Sequence, residues 1–147
     1  MNIEEIEKKL TFKTYRAEIT EWDKVSSYLE EILEAQNCDK KVTMEIVIML
    51  EEVFVNIASY AYKDDADTKE HYMDLGVGVI DGYVYLMFVD SGVAFNPLER
   101  EDPDIYLSVE EKKIGGLGIY MVKKWSDEII YERKDNKNIL MFKKKIL

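Results

Sequence analysis

Three glycines in four residues stand directly before a helix-like run late in the chain. The segment is Gly115-Gly116-Leu117-Gly118, and the run that follows it covers residues 119–124. Glycines leave the backbone N–H groups open, and the N-terminus of a helix favours anions. The segment therefore predicts a phosphate-binding turn. A glycine-rich turn alone is weak evidence, but this one follows an Asp-x-Gly sequence and a helix that carries an acid and an amide.

The second chemical feature is a polar stripe on a long, largely apolar run at residues 44–62, which predicts a helix buried on most sides. The polar residues of the stripe recur at helical spacing and share one face: Glu45, Glu52, Asn56, Ser59 and Lys63. A buried helix needs a reason to keep a carboxylate and an amide one turn apart, as Glu52 and Asn56 are. Glu51 lies about 100° away around the helix and does not share their face. The ordinary alternative is that the stripe is a solvent-facing edge.

Strands and helices along the chain must position these residues. The pattern predicts a strand, two helices, a hairpin, a long connection, a short helix and two strands. The segments are a strand at 9–19, a helix capped by Thr20, a helix at 44–62, strands at 72–80 and 83–89, a polar connection at 91–114, a helix ending near 124, and strands at 128–133 and 139–146. A connection as long as 91–114 is typical of a functional lid or a disordered segment.

The order of these elements predicts an α+β fold. We expect a two-layer α/β sandwich with a mixed, mostly antiparallel sheet, helices on one face and a lid. Asp81-Gly82 joins two strand-like runs and is a strong hairpin signal, because glycine supplies the positive φ of a primed turn. The order is not that of a doubly wound dinucleotide fold, and the sequence has no P-loop motif.

Composition sets broad limits on function. The 147 residues suit one domain, 1–147, and the 47% hydrophobic and 34% charged content is that of an ordinary globular protein. The net charge of −10 argues against a nucleic-acid partner or an anionic membrane surface. Cys38 and His71 are the single residues of their types, which excludes a disulfide framework and histidine-rich metal sites. The first residues lack the features of a secretory signal, so we expect a cytoplasmic protein.

Three motifs in order resemble the GHKL (histidine-kinase-like) ATPase superfamily, and within it the small anti-sigma-factor serine kinases. They are the helical motif at 51–62, the Asp-Ser-Gly motif at 90–97 and the glycine segment at 114–119. The resemblance covers residues 10–147, essentially the whole domain. It implies the sandwich of the GHKL, or Bergerat, type with an ATP lid, and it implies ATP and Mg²⁺ as cofactors.

The resemblance also implies roles for residues in the first two motifs. Glu52 matches the general base that orients or deprotonates the attacking hydroxyl. Asn56 would bind nucleotide through Mg²⁺, which takes oxygen ligands. Asp90 resembles the carboxylate that reads the exocyclic amino group of adenine. Gly92 would let the backbone approach the nucleotide closely, and Phe95 would pack at the pocket edge, or else serve as a plain core or lid aromatic.

In the third motif the resemblance implies a nucleotide-binding loop around the phosphates. Its members are Lys112, Gly115, Gly116, Leu117 and Gly118. Many relatives carry an arginine just before these glycines, whereas this chain has Lys112-Lys113, and lysine lacks the bidentate fork of arginine. A second departure is Met141 on the last strand, where relatives often have a threonine that helps to hold adenine. Both departures favour the alternative in which the chain binds ATP with little or no phosphotransfer.

The leading hypothesis is an ATP-dependent serine/threonine protein kinase that is also an anti-sigma factor. By resemblance it would phosphorylate a serine on an anti-sigma-factor antagonist, sequester a sigma factor and form a homodimer. The alternative is a nucleotide-gated protein-binding module with little or no phosphotransfer. A detached ATPase module of a histidine-kinase system is a third hypothesis, disfavoured because no helix carries a phosphoacceptor histidine.

Overall fold

The fold is built on a five-stranded antiparallel sheet. The computed structural model describes residues 1–62, 71–99 and 116–147, with the backbone alone at 116 and 117. The strand order in the sheet is β1-β2-β3-β5-β4, and every pairing is antiparallel. The strands are β1 (Thr11–Arg16), β2 (Tyr72–Ile80), β3 (Tyr83–Asp90), β4 (Glu128–Lys134) and β5 (Lys137–Lys145). The predicted α+β sandwich is confirmed, although within the described residues the sheet is wholly antiparallel rather than mixed.

Two tight turns set the register of the hairpins. Asp81 and Gly82 join β2 to β3 with φ angles of 51° and 82°, and Asp135 and Asn136 join β4 to β5 with φ angles of 52° and 60°. Two successive positive φ values define the primed turn whose twist matches that of paired strands. The Asp81-Gly82 turn confirms the sequence prediction. The pairing of β3 with β5, which neither turn sets, places Asp90 directly opposite Asn138.

Among the residues that the structure describes, three helices cover one face of the sheet and a fourth lies on the other. The helices are α1 (Ile3–Glu7), α2 (Trp22–Ala35), α3 (Lys40–Asn56) and α4 (Gly116–Trp125). The main core lies between the sheet and α2, α3 and α4, and includes Leu29, Leu33, Met49, Phe54, Val122, Leu75, Leu86, Phe88 and Phe142. No helix within the described residues is both long enough and apolar enough to cross a membrane.

The helix starts differ from those predicted. Thr20 is not an N-cap, because it lies in a 3₁₀ turn over Ile19–Glu21 that leads into α2. The helix expected from residue 44 begins instead at Lys40, where the side chain of Asp39 accepts hydrogen bonds from the backbone of the first turn. Its last turn continues as a π-helical turn over Ile57–Ala61.

The short helix α1 was not expected from the sequence and places apolar residues on the outer face of the sheet. Ile3 and Ile6 pack there against Tyr85, Met87 and Met141. The predicted helices lie on one face, and α1 is an additional helix on the other. Asn2 caps α1 by accepting a hydrogen bond from the Glu5 amide at 2.9 Å.

Lys144 joins two helices to the sheet from β5. Its Nζ lies 3.3 Å from Glu45 Oε2 on α3 and donates to the Trp125 carbonyl at the end of α4, 2.7 Å away. A cation at a helix C-terminus also complements the helix dipole. Glu45, the first residue of the polar stripe, thus has a structural partner.

Candidate functional site

One cavity lies between the end of α3, the segment after β3, the start of α4 and the last strands of the sheet. Its volume is about 500 Å³, within the range of small-molecule sites. The lining is mostly apolar with a few polar groups, and comprises Val53, Asn56, Ile57, Tyr60, Ala61, Phe88, Asp90, Val93, Ala94, Phe95, Pro97, Ile119, Tyr131, Asn138 and Leu140. The sequence predictions Asn56, Asp90 and Phe95 are brought together in this wall.

Asp90 is a buried carboxylate at the end of β3, with 6% exposure. Its Oδ1 accepts hydrogen bonds from the Gly92 amide at 2.9 Å and from Asn138 Nδ2 at 3.0 Å. Burial raises the pKa of Asp90, while these two hydrogen bonds and the nearby Arg133 act in the opposite direction. Within the described residues both accepted bonds go to Oδ1, so Oδ2 remains as an acceptor for another group.

Asn56 presents its side-chain amide to the same cavity from the last turn of α3. Its Nδ2 is buried and has no hydrogen-bond partner within the described part of the chain. A buried polar atom without a partner destabilises the fold unless a ligand or water satisfies it. The amide oxygen is also a ligand type that Mg²⁺ accepts. An oxygen-rich ligand in this cavity would suit both features.

Glu52 lies one turn before Asn56 and reaches α4 rather than the cavity wall. A Cβ built on Gly118 would overlap the Glu52 carboxylate and would stand 2.7 Å from its Cγ. Gly118 lies in the first turn of α4, and because it has no side chain, the Glu52 side chain can occupy the space beside it. Burial raises the pKa of Glu52, and the neighbouring charge of Glu51 adds to this effect. Glu51 itself is exposed.

Gly92 is required by packing against the π-helical turn that follows α3, not by visible room for a ligand. A Cβ at Gly92 would overlap the carbonyl oxygen of Ala61 and stand 2.6 Å from its carbonyl carbon. The next amide, that of Val93, donates to the same Ala61 oxygen at 2.9 Å. Arg133 holds the segment from β4, because its Nη1 donates to the Gly92 carbonyl at 2.9 Å. Any contact of Gly92 with nucleotide stays a prediction.

Tyr62 fixes the same segment from the end of the π turn. Its hydroxyl donates to the Tyr72 carbonyl at 2.7 Å and accepts from the Ser91 amide at 2.9 Å. Its ring stacks on His71 with centroids 4.1 Å apart. Burial raises the pKa of Tyr62. His71 thus takes part in a packing contact next to the segment that follows Asp90.

Part of the predicted glycine loop lies outside the described residues. Lys112 and Gly115 lie outside the described residues. For Gly116 and Leu117 the structure describes the helical backbone only. The helix begins at Gly116, so Gly116, Leu117 and Gly118 form its first turn. Their open N–H groups still lie at a helix N-terminus, as predicted.

Met141 is not a cavity residue, and the sequence interpretation that placed it near adenine is wrong. It is fully buried on the outer face of the sheet, opposite Met87 and under α1. Side chains alternate along a strand, so the cavity receives the neighbouring Leu140 instead. The absence of a threonine at Met141 therefore has no bearing on the cavity.

Sequence reasoning missed Asn138, Tyr131 and Tyr60. Asn138 is buried and bonds to Asp90, yet nothing in its local sequence distinguishes it from a residue at a strand end. Its importance follows from strand pairing, which brings β5 next to β3. Tyr60 lines the cavity from a π-helical turn, a feature that often marks functional sites.

A comparison with protein families agrees with this geometry. The family model described as the histidine kinase-like ATPase domain matches residues 15–144. The chain belongs to this family. The resemblance drawn from the three motifs is confirmed, and membership of the histidine kinase-like ATPase domain family implies ATP binding.

Two similar proteins share less than 30% of their residues with this chain in the matched regions. The chain is 26% identical over 101 residues to an anti-sigma F factor of Geobacillus stearothermophilus, covering 69% of this chain and 67% of that protein. It is 29% identical over 103 residues to the serine-protein kinase RsbW of Bacillus thuringiensis (strain Al Hakam), covering 67% of this chain and 62% of that protein. The matched part thus spans about two thirds or less of these relatives.

A solved structure shares the fold. The crystal structure of the RsbU and RsbW domains of a Mycobacterium tuberculosis protein superposes with a TM-score of 0.63 at 15% identity. The match covers 93% of this chain and 32% of that chain. At this identity the likeness bears on the fold alone, and it supports the predicted GHKL-type sandwich.

Proposed function

We propose that this chain is an ATP-dependent serine/threonine protein kinase and an anti-sigma factor. It phosphorylates a serine of an anti-sigma-factor antagonist and holds a sigma factor in an inactive complex. Family membership and the names of the relatives support this proposal. The observation that carries the catalytic part is that Asn56 and Asp90 line one cavity. Glu52 lies one turn before Asn56 on α3, and its side chain contacts Gly118 in the first turn of α4.

In this proposal the cavity holds the adenine and the start of α4 faces the phosphates. Asp90 Oδ2 accepts a hydrogen bond from the exocyclic amino group of adenine, and apolar side chains such as Phe88 and Leu140 contact the ring. Phe95 closes the edge of the pocket. The N–H groups of Gly116, Leu117 and Gly118 lie in the first turn of α4, where the helix dipole favours phosphate oxygens. Gly115 and Lys112 precede this turn in the sequence and are proposed to extend the phosphate contacts.

Asn56 is the proposed metal ligand. Its amide oxygen would hold Mg²⁺ without adding a negative charge near the phosphates. Its buried Nδ2, which has no partner within the described residues, would remain as a donor for an oxygen of the bound ligand. Mg²⁺, when bound, neutralises charge on the phosphates during transfer. Glu52 lies on the same helix face, one turn before Asn56, which suits a base that acts next to the metal.

Glu52 is the proposed general base. It takes the proton of the antagonist's serine hydroxyl as the seryl oxygen forms a bond to the γ-phosphorus. The bond from that phosphorus to the β–γ bridging oxygen breaks, and ADP leaves with the electron pair. Burial raises the pKa of Glu52, which makes it a stronger proton acceptor than an exposed glutamate.

The experiment is transfer of labelled γ-phosphate to a candidate antagonist from the same genome. We expect label on the antagonist with the natural chain, and a loss of about 10²–10⁴-fold with Glu52→Ala. Glu51→Ala is the matched control, because Glu51 is the exposed neighbour on another face and should retain transfer. Transfer that is unchanged in Glu52→Ala would refute the catalytic role. ATP binding without any transfer would favour the nucleotide-gated binding module.

A further inference from the structure

We infer that Asn138 is a positioning residue that sets nucleotide selectivity by fixing how Asp90 faces the cavity. The inference rests on the proposed function, in which Asp90 reads the exocyclic amino group of adenine. Asn138 lies on β5 directly opposite Asp90 on β3. Both residues line the cavity and both are 94% buried, so their mutual contact is shielded from water.

The side-chain amide of Asn138 is held at four points. Its Nδ2 donates to Asp90 Oδ1 at 3.0 Å and to the Val93 carbonyl at 2.8 Å. Its Oδ1 accepts from the Phe95 amide at 3.3 Å and from the Tyr131 hydroxyl at 2.5 Å. A primary amide has two donor hydrogens and two acceptor lone pairs, so this one is fully used. The amide therefore cannot turn without losing several hydrogen bonds at once.

This network decides which oxygen of Asp90 is left for a ligand. The Asn138 and Gly92 donors both bind Oδ1, which directs Oδ2 away from them. Without Asn138, one donor from the backbone would remain, and the carboxylate could rotate about its Cβ–Cγ bond. Oδ2 would then no longer meet a ligand at a fixed angle.

The same amide anchors the cavity wall that follows Asp90. Its bonds to Val93 and Phe95 tie this segment to β5, and its bond from Tyr131 ties it to β4. Asn138 thus couples the orientation of the carboxylate to the shape of the pocket edge. A merely structural residue would affect all nucleotides alike, whereas this arrangement makes Asn138 matter most for a base that carries the amino group.

The test compares two nucleotides that differ at that group. ATP and purine riboside 5′-triphosphate, in which hydrogen replaces the amino group, are titrated into the natural chain and into Asn138→Leu and Asn138→Ala. We expect the natural chain to prefer ATP by about 10- to 100-fold, the range for leaving a buried acceptor unpaired. In both variants the preference should fall to about threefold or less. Leu29→Ala, a core change on α2 away from the cavity, should keep the natural preference.

The outcomes separate this inference from the function on which it rests. A natural chain that binds neither nucleotide overturns the proposed function and the inference with it. A natural chain that prefers ATP, with variants that keep the preference, overturns the role of Asn138 alone. Loss of the preference in Leu29→Ala as well would mean general loosening and would also overturn it. If Asn138→Leu does not fold, Asn138→Ala, which fits the same space, decides.

Discussion

Gly118→Ala should lower phosphotransfer much more than it lowers the stability of the fold. The added methyl group would occupy the space that the Glu52 side chain fills. The new Cβ would stand 2.7 Å from Glu52 Cγ, and an ordinary contact is 3.4 Å or more. The carboxylate lies still closer, so the end of the side chain must swing away. Moving it to another position costs about 0.5–1.5 kcal/mol, and alanine in place of glycine in a helix returns about 0.5–1 kcal/mol. The free energy of unfolding should therefore change by less than about 1 kcal/mol.

Phosphotransfer should respond far more strongly than stability. A misplacement of about 1 Å in a reacting group lowers rates by about 10²-fold, and complete loss of a general base lowers them by about 10²–10⁴-fold. We expect Gly118→Ala to fall in this range when label transfer to the antagonist is measured at saturating ATP. Urea denaturation of the same samples gives the stability.

A double-mutant cycle shows whether the effect passes through Glu52. In a Glu52→Ala background the carboxylate is absent, so Gly118→Ala should cause little further loss of transfer. Equal losses in both backgrounds would mean that Gly118 acts through the phosphates alone. Full activity of Gly118→Ala in the natural background would refute the reasoning altogether.

Three further predictions follow from packing and charge. Gly92→Ala should destabilise the fold by about 1–3 kcal/mol in urea denaturation. The new Cβ would overlap the backbone of Ala61, which cannot move aside as a side chain can. An unchanged denaturation midpoint would contradict this prediction. Burial raises the folded-state pKa of Asp90, so its ionised form destabilises the fold above that pKa, and this effect disappears below the unfolded pKa. Asp90→Asn should therefore be more stable than the natural chain at pH 7, and this difference should shrink as the pH falls. The variant should also bind ATP at least about tenfold less tightly. A stability difference that grows on acidification would contradict the raised pKa of Asp90. Lys144→Met should lower stability by about 1–3 kcal/mol, since it leaves the Glu45 carboxylate and the Trp125 carbonyl unpaired, and Glu45→Gln in the same background should recover part of the loss.

Elements with a local signal could be predicted from the sequence. The strand pattern and the Asp81-Gly82 turn gave the hairpin, because the primed turn needs positive φ in two successive residues. The long α3 followed from its apolar run. The five-residue α1 was missed, because a single turn carries no periodicity, and its stability depends on packing against the outer face of the sheet.

The cavity residues that belong to motifs were found from the sequence, and those that strand pairing brings to the cavity were missed. Asn56 and Asp90 come from motifs, and both line the cavity. Asn138 belongs to no motif and matters because β5 pairs with β3. Met141 was assigned to the wrong face, since alternation along β5 fixes faces only after one residue has been placed. The contact between Gly118 and Glu52 depends on how α3 packs against α4, which no local pattern reports.

We propose that three separate segments of this chain form one site for ATP and its metal. Calorimetric titration with ATP, with and without Mg²⁺, on the natural chain and on Asn56→Ala tests it most directly. We predict that Mg²⁺ tightens ATP binding to the natural chain and that Asn56→Ala removes most of this gain while metal-free binding changes little. Binding that depends on neither the metal nor Asn56 would mean that the polar stripe of α3 is only a solvated edge.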